Sequence, residues 1–286
     1  MKSGVVALVG RPNVGKSTLL NTLLGQKVSI TSPKPQTTRF PIQAVYEDTR
    51  GQIIFVDTPG IFTKVKDQVS ARVNLRTEET IEKGVDVIVY MVDHTRERAE
   101  EENRALGIVR KVHIPKILAI NKVDVKTPTH IVQYRFMEEE FDKVIHVSAL
   151  ENKHIPVLLD AIFDYLPEGK PFIDASTLPQ PGLNLDSRTF IAEIIREKAF
   201  LNLRREVPYA IAAAVDDIVE RENGVMYIKA RLLTSADRYK GMIIGRGGEM
   251  IKEISMAARK ELEVAANKKV YLELTVETDP HWIDYV

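Results

Sequence analysis

The sequence contains no cysteine among its 286 residues. This absence excludes disulfide bonds, thiolate zinc sites and cysteine nucleophiles. The chain also has no net charge, because 40 lysine and arginine residues balance 40 aspartate and glutamate residues. A global attraction to nucleic acid or to a membrane surface is therefore excluded, and any such attraction has to come from a local patch.

Long hydrophobic runs are missing as well. The longest apolar stretch covers residues 87–92, far short of the roughly 20 residues that a membrane-spanning helix needs. We therefore expect a cytoplasmic protein, and peripheral association with the inner face of the cell membrane is a second location that we keep open. Chain length and ordinary composition predict a globular protein of two domains.

What the sequence does contain is a phosphate-binding motif, G-x-x-x-x-G-K-S. It follows an apolar run that is typical of a buried strand, residues 5–9, and precedes helical apolar spacing at residues 18–24. The motif requires this strand–loop–helix context. Its glycines let backbone N–H groups turn toward phosphate oxygens, and the helix N-terminus adds partial positive charge. The nucleotide contacts that we predict here are Gly10, Arg11, Pro12, Asn13, Val14, Gly15, Lys16, Ser17 and Thr18.

Two further stretches supply oxygen ligands for a metal. The polar segment 26–43 contains prolines that exclude a helix, and long loops inside compact domains are usually functional. A hairpin then leads to Asp57 at a predicted strand end. Because Mg²⁺ prefers oxygen ligands, we predict that Ser17, Thr38 and Asp57 bind Mg²⁺ while Lys16 reaches the β- and γ-phosphates. The predicted nucleotide contacts at the strand end are Asp57, Thr58, Pro59 and Gly60.

Base recognition is predicted at the ends of the strand-like runs 116–124 and 144–149. Together with the run 85–93, they alternate with helical patterns, which predicts an α/β fold with a mostly parallel, doubly wound sheet. Asp124 can accept hydrogen bonds from guanine N1–H and the exocyclic amine, which adenine cannot offer. Asn121 is expected to join neighbouring loops, and the Ala149 N–H to donate to guanine O6. The contacts predicted here are Asn121, Lys122, Asp124, Ser148, Ala149 and Leu150.

In their order along the chain, these motifs resemble the five nucleotide motifs of a translation-factor-class GTPase. The resemblance implies binding of GTP and GDP and slow intrinsic hydrolysis of GTP, with Asn13, Lys16, Thr38 and Gly60 as the catalytic residues. Ile61 stands where Ras-like enzymes carry a glutamine that orients water, so the catalytic device must differ. This departure resembles the subgroup of Era and Der GTPases. In parts of that subgroup the asparagine that matches Asn13 helps to place a potassium ion, which makes K⁺ a candidate ion beside Mg²⁺.

A second domain is predicted after a stretch rich in proline and glycine. We predict a GTPase domain at 1–168, a linker at 169–185 and a smaller α+β domain at 186–286. The order helix–strand–strand–helix–loop–helix–strand resembles a type II KH RNA-binding domain. Residues 229–269 carry ten basic and five acidic residues, so positive charge is concentrated around the glycine loop. The RNA contacts that the resemblance implies are Lys240, Ile243, Ile244, Gly245, Arg246, Gly247, Gly248 and Lys252.

A GTPase domain followed by a type II KH domain resembles the Era family of GTPases over nearly the whole chain. The resemblance implies a switch that binds single-stranded rRNA near the 3′ end of the small-subunit rRNA and assists maturation of the small ribosomal subunit. No obligate oligomer is evident from the sequence. The alternative is a GTPase switch whose C-terminal domain binds a protein or membrane partner. Salt separates the two, because RNA binding weakens steeply with salt and a hydrophobic interface does not.

Overall fold

The computed structural model describes residues 1–32, 34, 38–39, 41–60, 79, 81, 84–173 and 187–285. The chain divides into two units, Met1–Asn184 and Leu185–Val286. Ile61 lies outside the described residues, and so does most of the predicted linker. Among the described residues, no helix is both long enough and apolar enough to cross a membrane.

The first unit is built on a six-stranded sheet with the strand order β2-β3-β1-β4-β5-β6. Neighbouring strands are parallel except β2 and β3, which form the predicted antiparallel hairpin. This mostly parallel sheet confirms the predicted fold class. The elements are β1 (Lys2–Val9), α1 (Lys16–Leu24), β2 (Ile42–Asp48), β3 (Gly51–Asp57), β4 (Val87–Asp93), α2 (Glu100–Arg110), β5 (Lys116–Asn121), 3₁₀ turns at Ile131–Gln133 and Arg135–Glu140, β6 (Lys143–His146) and α3 (Ile155–Tyr165).

Strands β5 and β6 end earlier than the sequence predicts. The run 116–124 leaves the sheet after Asn121, because Lys122 has a left-handed φ of 70° that a strand cannot contain. The run 144–149 likewise leaves the sheet after His146. Both predicted base-recognition motifs therefore lie mainly in loops at the carboxyl ends of parallel strands, where ligands bind in open α/β sheets.

The linker begins later than the predicted residue 169. The buried side chain of Gln52 on β3 accepts hydrogen bonds from the N–H groups of Phe172 and Ile173 at 2.9 and 3.1 Å. Its amide nitrogen donates to the Ile173 carbonyl at 2.7 Å. These bonds hold the chain up to residue 173 against the first unit. The rest of the predicted linker, residues 174–185, lies outside the described part of the chain.

The second unit has a three-stranded sheet with the order β7-β8-β9, in which β7 and β8 are antiparallel and β8 and β9 are parallel. Apolar residues on one face, such as Ile228, Ala230 and Leu232, are fully buried. Helix α4 packs against β7 and α6, and α6 packs against β9. The order of elements matches the sequence prediction: α4 (Ser187–Asn202), β7 (Ile211–Glu220), β8 (Met226–Thr234), α5 (Asp237–Ile244), α6 (Glu249–Ala266) and β9 (Val270–Thr278).

Candidate functional site

A cleft of about 930 Å³ opens over the phosphate-binding loop between β1 and α1. Its walls come from the loop itself, from the segment after α1 and from loops that follow β3, β4, β5 and β6. The predicted residues that line it are Pro12, Asn13, Gly15, Lys16, Ser17, Thr18, Thr38, Gly60, Lys122 and Leu150. Arg96 and Glu101, which no sequence motif indicated, line it as well.

The glycines of the loop have specific reasons to be glycine. Gly15 has a left-handed φ of 108°, and a Cβ atom there would lie 2.2 Å from the side-chain nitrogen of Asn121. A Cβ atom on Gly60 would lie 2.8 Å from the Cα atom of Pro12. Real side chains do not tolerate such approaches, so both glycines let neighbouring loops close on the phosphate-binding loop.

Lys16 crosses this loop from the inside. Its ammonium donates hydrogen bonds to the carbonyl oxygens of Gly10 at 3.0 Å and Arg11 at 3.1 Å. Burial lowers the pKa of Lys16 to about 8, although the carboxylates of Asp57 and Glu102 act in the opposite direction. The two carbonyl oxygens offset only part of the cost of burying this cation. An anionic phosphate would offset more of it.

Three predicted metal ligands lie together at one end of the cleft. The Ser17 hydroxyl donates to Asp57 Oδ2 at 2.6 Å and lies 3.0 Å from the hydroxyl of Thr38. Asp57 is fully buried, and its Oδ1 has no hydrogen-bond partner among the described residues. The pKa of Asp57 is raised, because burial outweighs the opposite effects of Lys16 and of the hydroxyls of Ser17 and Ser29. An orphaned carboxylate oxygen beside two hydroxyls is the kind of donor set that Mg²⁺ takes.

Sequence reasoning missed the residues that hold Asp57 in place. The hydroxyl of Ser29 donates to Asp57 Oδ2 at 2.8 Å. Asn21 on α1 fixes Ser29 in turn, because its Oδ1 accepts from the Ser29 N–H at 2.9 Å and its Nδ2 donates to the Ser29 carbonyl at 2.8 Å. Neither residue belongs to a recognisable motif, and only the fold brings them to the carboxylate.

Asn121 joins the phosphate-binding loop to the loop after β6. Its Nδ2 donates to the Val14 carbonyl at 2.7 Å, and its Oδ1 accepts from the Ala149 N–H at 2.9 Å. The Ala149 N–H is thus bonded to Asn121 here, and its donation to guanine O6 stays a prediction. Ser148 donates through its hydroxyl to the half-buried Asp124, which holds that carboxylate at the base-recognition edge.

Lys122 and Arg11 use their side chains to support the site. The Lys122 ammonium pairs with Asp93 at 2.6 Å. Burial alone would raise the pKa of Asp93, but hydrogen bonds from Lys122 and Thr95 outweigh burial and lower that pKa. Arg11 turns away from the cleft and forms a buried ion pair with Glu102, Nε to Oε2, at 3.0 Å. Any contact between Arg11 and a nucleotide would therefore come from the backbone.

The glycine loop between α5 and α6 is a second candidate site, in the second unit. Gly245, Gly247 and Gly248 all have left-handed φ values, between 60° and 81°. A Cβ atom on Gly245 would approach the Cβ atom of Met250 to 2.7 Å, whereas Gly247 and Gly248 face open space. Only the first glycine is therefore required by packing, and the other two leave room for a ligand backbone.

Charged and apolar side chains surround this loop. Arg246 and Lys252 are exposed and Lys240 is half-buried, and none of the three forms an ion pair with any described residue. Ile244 is half-buried at the surface. Ile243, which the sequence placed among the RNA contacts, is fully buried. Its position on the inner face of α5 makes it a core residue that supports the loop from beneath, which corrects the predicted contact.

The fold and these two sites define a P-loop GTPase joined to a KH domain. Residues 5–122 match a family model described as a 50S ribosome-binding GTPase, and residues 206–283 match the KH domain model. The chain is 40% identical to GTPase Era of Halothermothrix orenii, over 98% of this chain and 94% of that protein. It is 39% identical to GTPase Era of Thermotoga maritima, over 99% and 93%.

Solved structures agree with these relatives. A crystal structure of Era with MgGDPNP and nucleotides 1506–1542 of 16S ribosomal RNA is 37% identical with a TM-score of 0.90, covering 99% of this chain and 95% of that one. An Aquifex aeolicus Era variant bound to GDP·AlF4⁻ is 38% identical with a TM-score of 0.89, covering 99% and 95%. The chain belongs to the GTPase Era family, which confirms that it is a GTP-hydrolysing enzyme.

Proposed function

We propose that this chain is a GTP-driven switch that binds single-stranded rRNA near the 3′ end of the small-subunit rRNA and assists maturation of the small ribosomal subunit. The observation that carries the proposal is the glycine loop at Gly245–Gly248, which presents an open backbone beside cations that no described carboxylate pairs with. A relative of the same fold was crystallised with nucleotides of 16S ribosomal RNA, a small-subunit RNA. That complex supports the small subunit as the target, although the description of the matching GTPase family model names the 50S subunit.

The chemistry of the loop suits a nucleic-acid backbone. Gly247 and Gly248 have open space where side chains would stand, so a sugar–phosphate chain can approach the N-terminus of α6 closely. Arg246 and Lys252 supply positive charge that no carboxylate among the described residues neutralises. Two other cations of the domain, Arg231 and Lys268, are paired with acidic residues instead. The loop therefore offers a phosphate cations that are not already held in an ion pair.

In the nucleotide site we assign each side chain one task. Lys16 neutralises β- and γ-phosphate charge from within the loop, and Asp124 selects guanine. Ser17, Thr38 and Asp57 hold Mg²⁺, which when bound offsets negative charge on the β- and γ-phosphates. Asn13, which lines the cleft with a left-handed φ of 64°, is the residue that we assign to K⁺.

The rival function is a switch whose second domain binds a protein or a membrane. We favour RNA because the cations at the glycine loop have no ion-pair partner in the part of the chain that the structure describes, and a location in the cytoplasm is consistent with an rRNA target. Peripheral contact with the inner face of the cell membrane stays an untested expectation. We likewise expect no obligate oligomer.

Binding to RNA tests the proposal. A fluorescent single-stranded oligonucleotide with the 3′-terminal sequence of 16S rRNA is titrated with the full chain loaded with a GTP analogue or with GDP, at several salt concentrations. We expect the logarithm of affinity to fall linearly with the logarithm of salt and affinity to differ between the two nucleotide states, because a ligand shifts a switch only by its differential affinity. RNA affinity that does not change with salt, or the absence of RNA binding, would favour a second domain that binds a protein or a membrane.

A further inference from the structure

A guanidinium group lies in the nucleotide cleft that the known motifs do not account for. Arg96, in the loop after β4, lines the cleft and donates from Nη1 to the Pro12 carbonyl at 3.2 Å. Its side chain is exposed, and it forms no ion pair with any residue in the described part of the chain. Together with Lys16, it gives the cleft a second cation that can face a phosphate.

The contact with Pro12 places Arg96 at the γ-phosphate end of the cleft. Pro12 touches Gly60, whose motif follows the metal-binding Asp57, since a Cβ on Gly60 would meet Pro12 at 2.8 Å. Two residues further along the phosphate-binding loop, Val14 is bonded to Asn121 on the base side. The loop thus runs from the metal and γ-phosphate end at Pro12 toward the base end at Val14.

The backbone that carries Arg96 is held rigidly. The Arg96 N–H donates to the Asp93 carbonyl at 3.3 Å, and the Arg96 carbonyl accepts from the Tyr134 hydroxyl at 2.9 Å. Tyr134 in turn accepts a hydrogen bond from Arg11 of the phosphate-binding loop at 3.3 Å. The fixed backbone sets the point from which the side chain reaches the cleft, and the bond to the Pro12 carbonyl holds the guanidinium there.

We propose that Arg96 is a catalytic residue that contacts the γ-phosphoryl group of GTP, an arginine supplied by the same chain. In hydrolysis a water oxygen bonds to the γ-phosphorus, and the bond from that phosphorus to the β–γ bridging oxygen breaks. The electron pair stays on GDP, and the proton of the water ends on the released phosphate. A guanidinium at this end offsets the charge that develops on the phosphoryl oxygens. Such a group is needed because Ile61, at the position where Ras-like enzymes carry a catalytic glutamine, provides no polar side chain.

A purely structural role for the same residue is the competing explanation. If Arg96 only clamps Pro12, its loss would loosen the phosphate-binding loop and weaken GDP and GTP binding together, with kcat unchanged. If it contacts the γ-phosphoryl group, kcat falls while GDP affinity stays near parental. Arg96→Gln removes the charge and keeps a polar donor on a shorter side chain, whereas Arg96→Lys keeps the charge and a donor of similar reach.

The experiment compares Arg96→Ala, Arg96→Gln and Arg96→Lys in the full chain with saturating Mg²⁺. Arg98→Ala is the matched control, because Arg98 lies two residues away and stacks on Phe136 at 4.2 Å without lining the cleft. Single-turnover hydrolysis, GDP affinity and affinity for GDP with aluminium fluoride are measured, and thermal unfolding verifies the fold.

We expect the alanine and glutamine variants to lose kcat by about 10- to 100-fold, somewhat less than the loss of a preorganised donor in other enzymes. GDP affinity should change by less than about threefold, affinity for GDP with aluminium fluoride should fall in step with kcat, and the lysine variant should be intermediate. Arg98→Ala should behave as the parent. A parental kcat in the glutamine variant, or equal loss of GDP and GTP affinity with unchanged kcat, would overturn the proposal.

Discussion

The side-chain nitrogen of Asn121 donates to the backbone carbonyl of Val14 at 2.7 Å, so one residue of the base-recognition motif directly holds the phosphate-binding loop. The other end of the same amide accepts from Ala149. The predicted base-recognition motif and the phosphate-binding loop are therefore parts of one hydrogen-bonded structure.

Replacing Asn121 should destabilise the chain even without nucleotide. Asn121→Ala leaves the Val14 carbonyl and the Ala149 N–H without their partner, and each buried unsatisfied group costs about 1–3 kcal/mol. Urea unfolding of the nucleotide-free protein measures the loss. The matched control is Asp124→Ala, whose side chain is only half-buried and should cost less. A parental unfolding free energy for Asn121→Ala would contradict this account of the site.

Base choice should depend on Asp124. Asp124→Asn exchanges an acceptor for a donor, so GTP affinity should fall by about 1–3 kcal/mol and xanthosine triphosphate should become the better ligand. Ser148 can still donate to the amide oxygen of the variant. Competition between guanosine and xanthosine diphosphates for the cleft measures the exchange, and unchanged preference for guanine would remove Asp124 from base recognition.

Lys16 should serve nucleotide binding at the expense of stability. Burial lowers its pKa from 10.5 to about 8, so between these pH values the unfolded chain binds more protons than the folded one. Stability therefore rises as pH increases from 8 to 10.5, and below pH 8 the buried charge costs about 3 kcal/mol at most. Lys16→Met should abolish nucleotide binding yet raise the unfolding free energy of the nucleotide-free chain at pH 7. The difference from the parent should disappear near pH 10.5, and a variant less stable than the parent at pH 7 would refute this explanation.

Potassium should accelerate hydrolysis if Asn13 helps to place it. We expect faster GTP turnover in potassium than in sodium at equal ionic strength, and Asn13→Ala should remove the difference while GDP binding persists. Phosphate release measured in both salts decides the matter. Equal rates for the parent chain would eliminate potassium and leave the roles of the other residues unaffected.

The glycine loop of the second unit should bind RNA through charge and close approach. Arg246→Asp with Gly247→Asp should lose most RNA affinity, and the slope of log affinity against log salt should flatten by about 0.7 for each phosphate that the variant no longer neutralises. Gly247 faces open space with a φ of 60°, a conformation that aspartate and asparagine tolerate. The fold and RNA-independent GTP hydrolysis should therefore persist.

Arg246→Gln with Gly247→Asn is the matched neutral control for that experiment. It changes the same two positions without adding carboxylates, so its RNA affinity should lie between the parent and the acidic variant. If the acidic variant unfolds the second unit, the glycines have a structural role. If it folds and binds RNA as the parent does, the RNA assignment is wrong and a protein partner becomes the better hypothesis.

Contiguous motifs made the nucleotide cleft predictable, because a phosphate-binding loop needs its glycines, lysine and serine at fixed spacing within one short segment of the chain. The parallel sheet followed from the alternation of strands and helices. Glu101 and Arg96 carry no local signal, since only the topology brings them to the cleft, and the same holds for Ser29, which the fold brings to Asp57. Ile243 was misassigned because a loop motif does not reveal which neighbours face inward. The late start of the linker depends on a single buried glutamine, Gln52, that no composition reveals.

Gln52 and Asp57 lie near the two ends of the same strand, β3. Gln52 near its start holds residues 172 and 173, and Asp57 at its end is the carboxylate that we assign to Mg²⁺, about 17 Å away at strand rise. Between them β3 is hydrogen-bonded on both sides, to β1 and to β2. A strand paired on both sides cannot slide along its axis without breaking both ladders, so Asp57 and the two residues bonded to Gln52 are kept at a fixed separation.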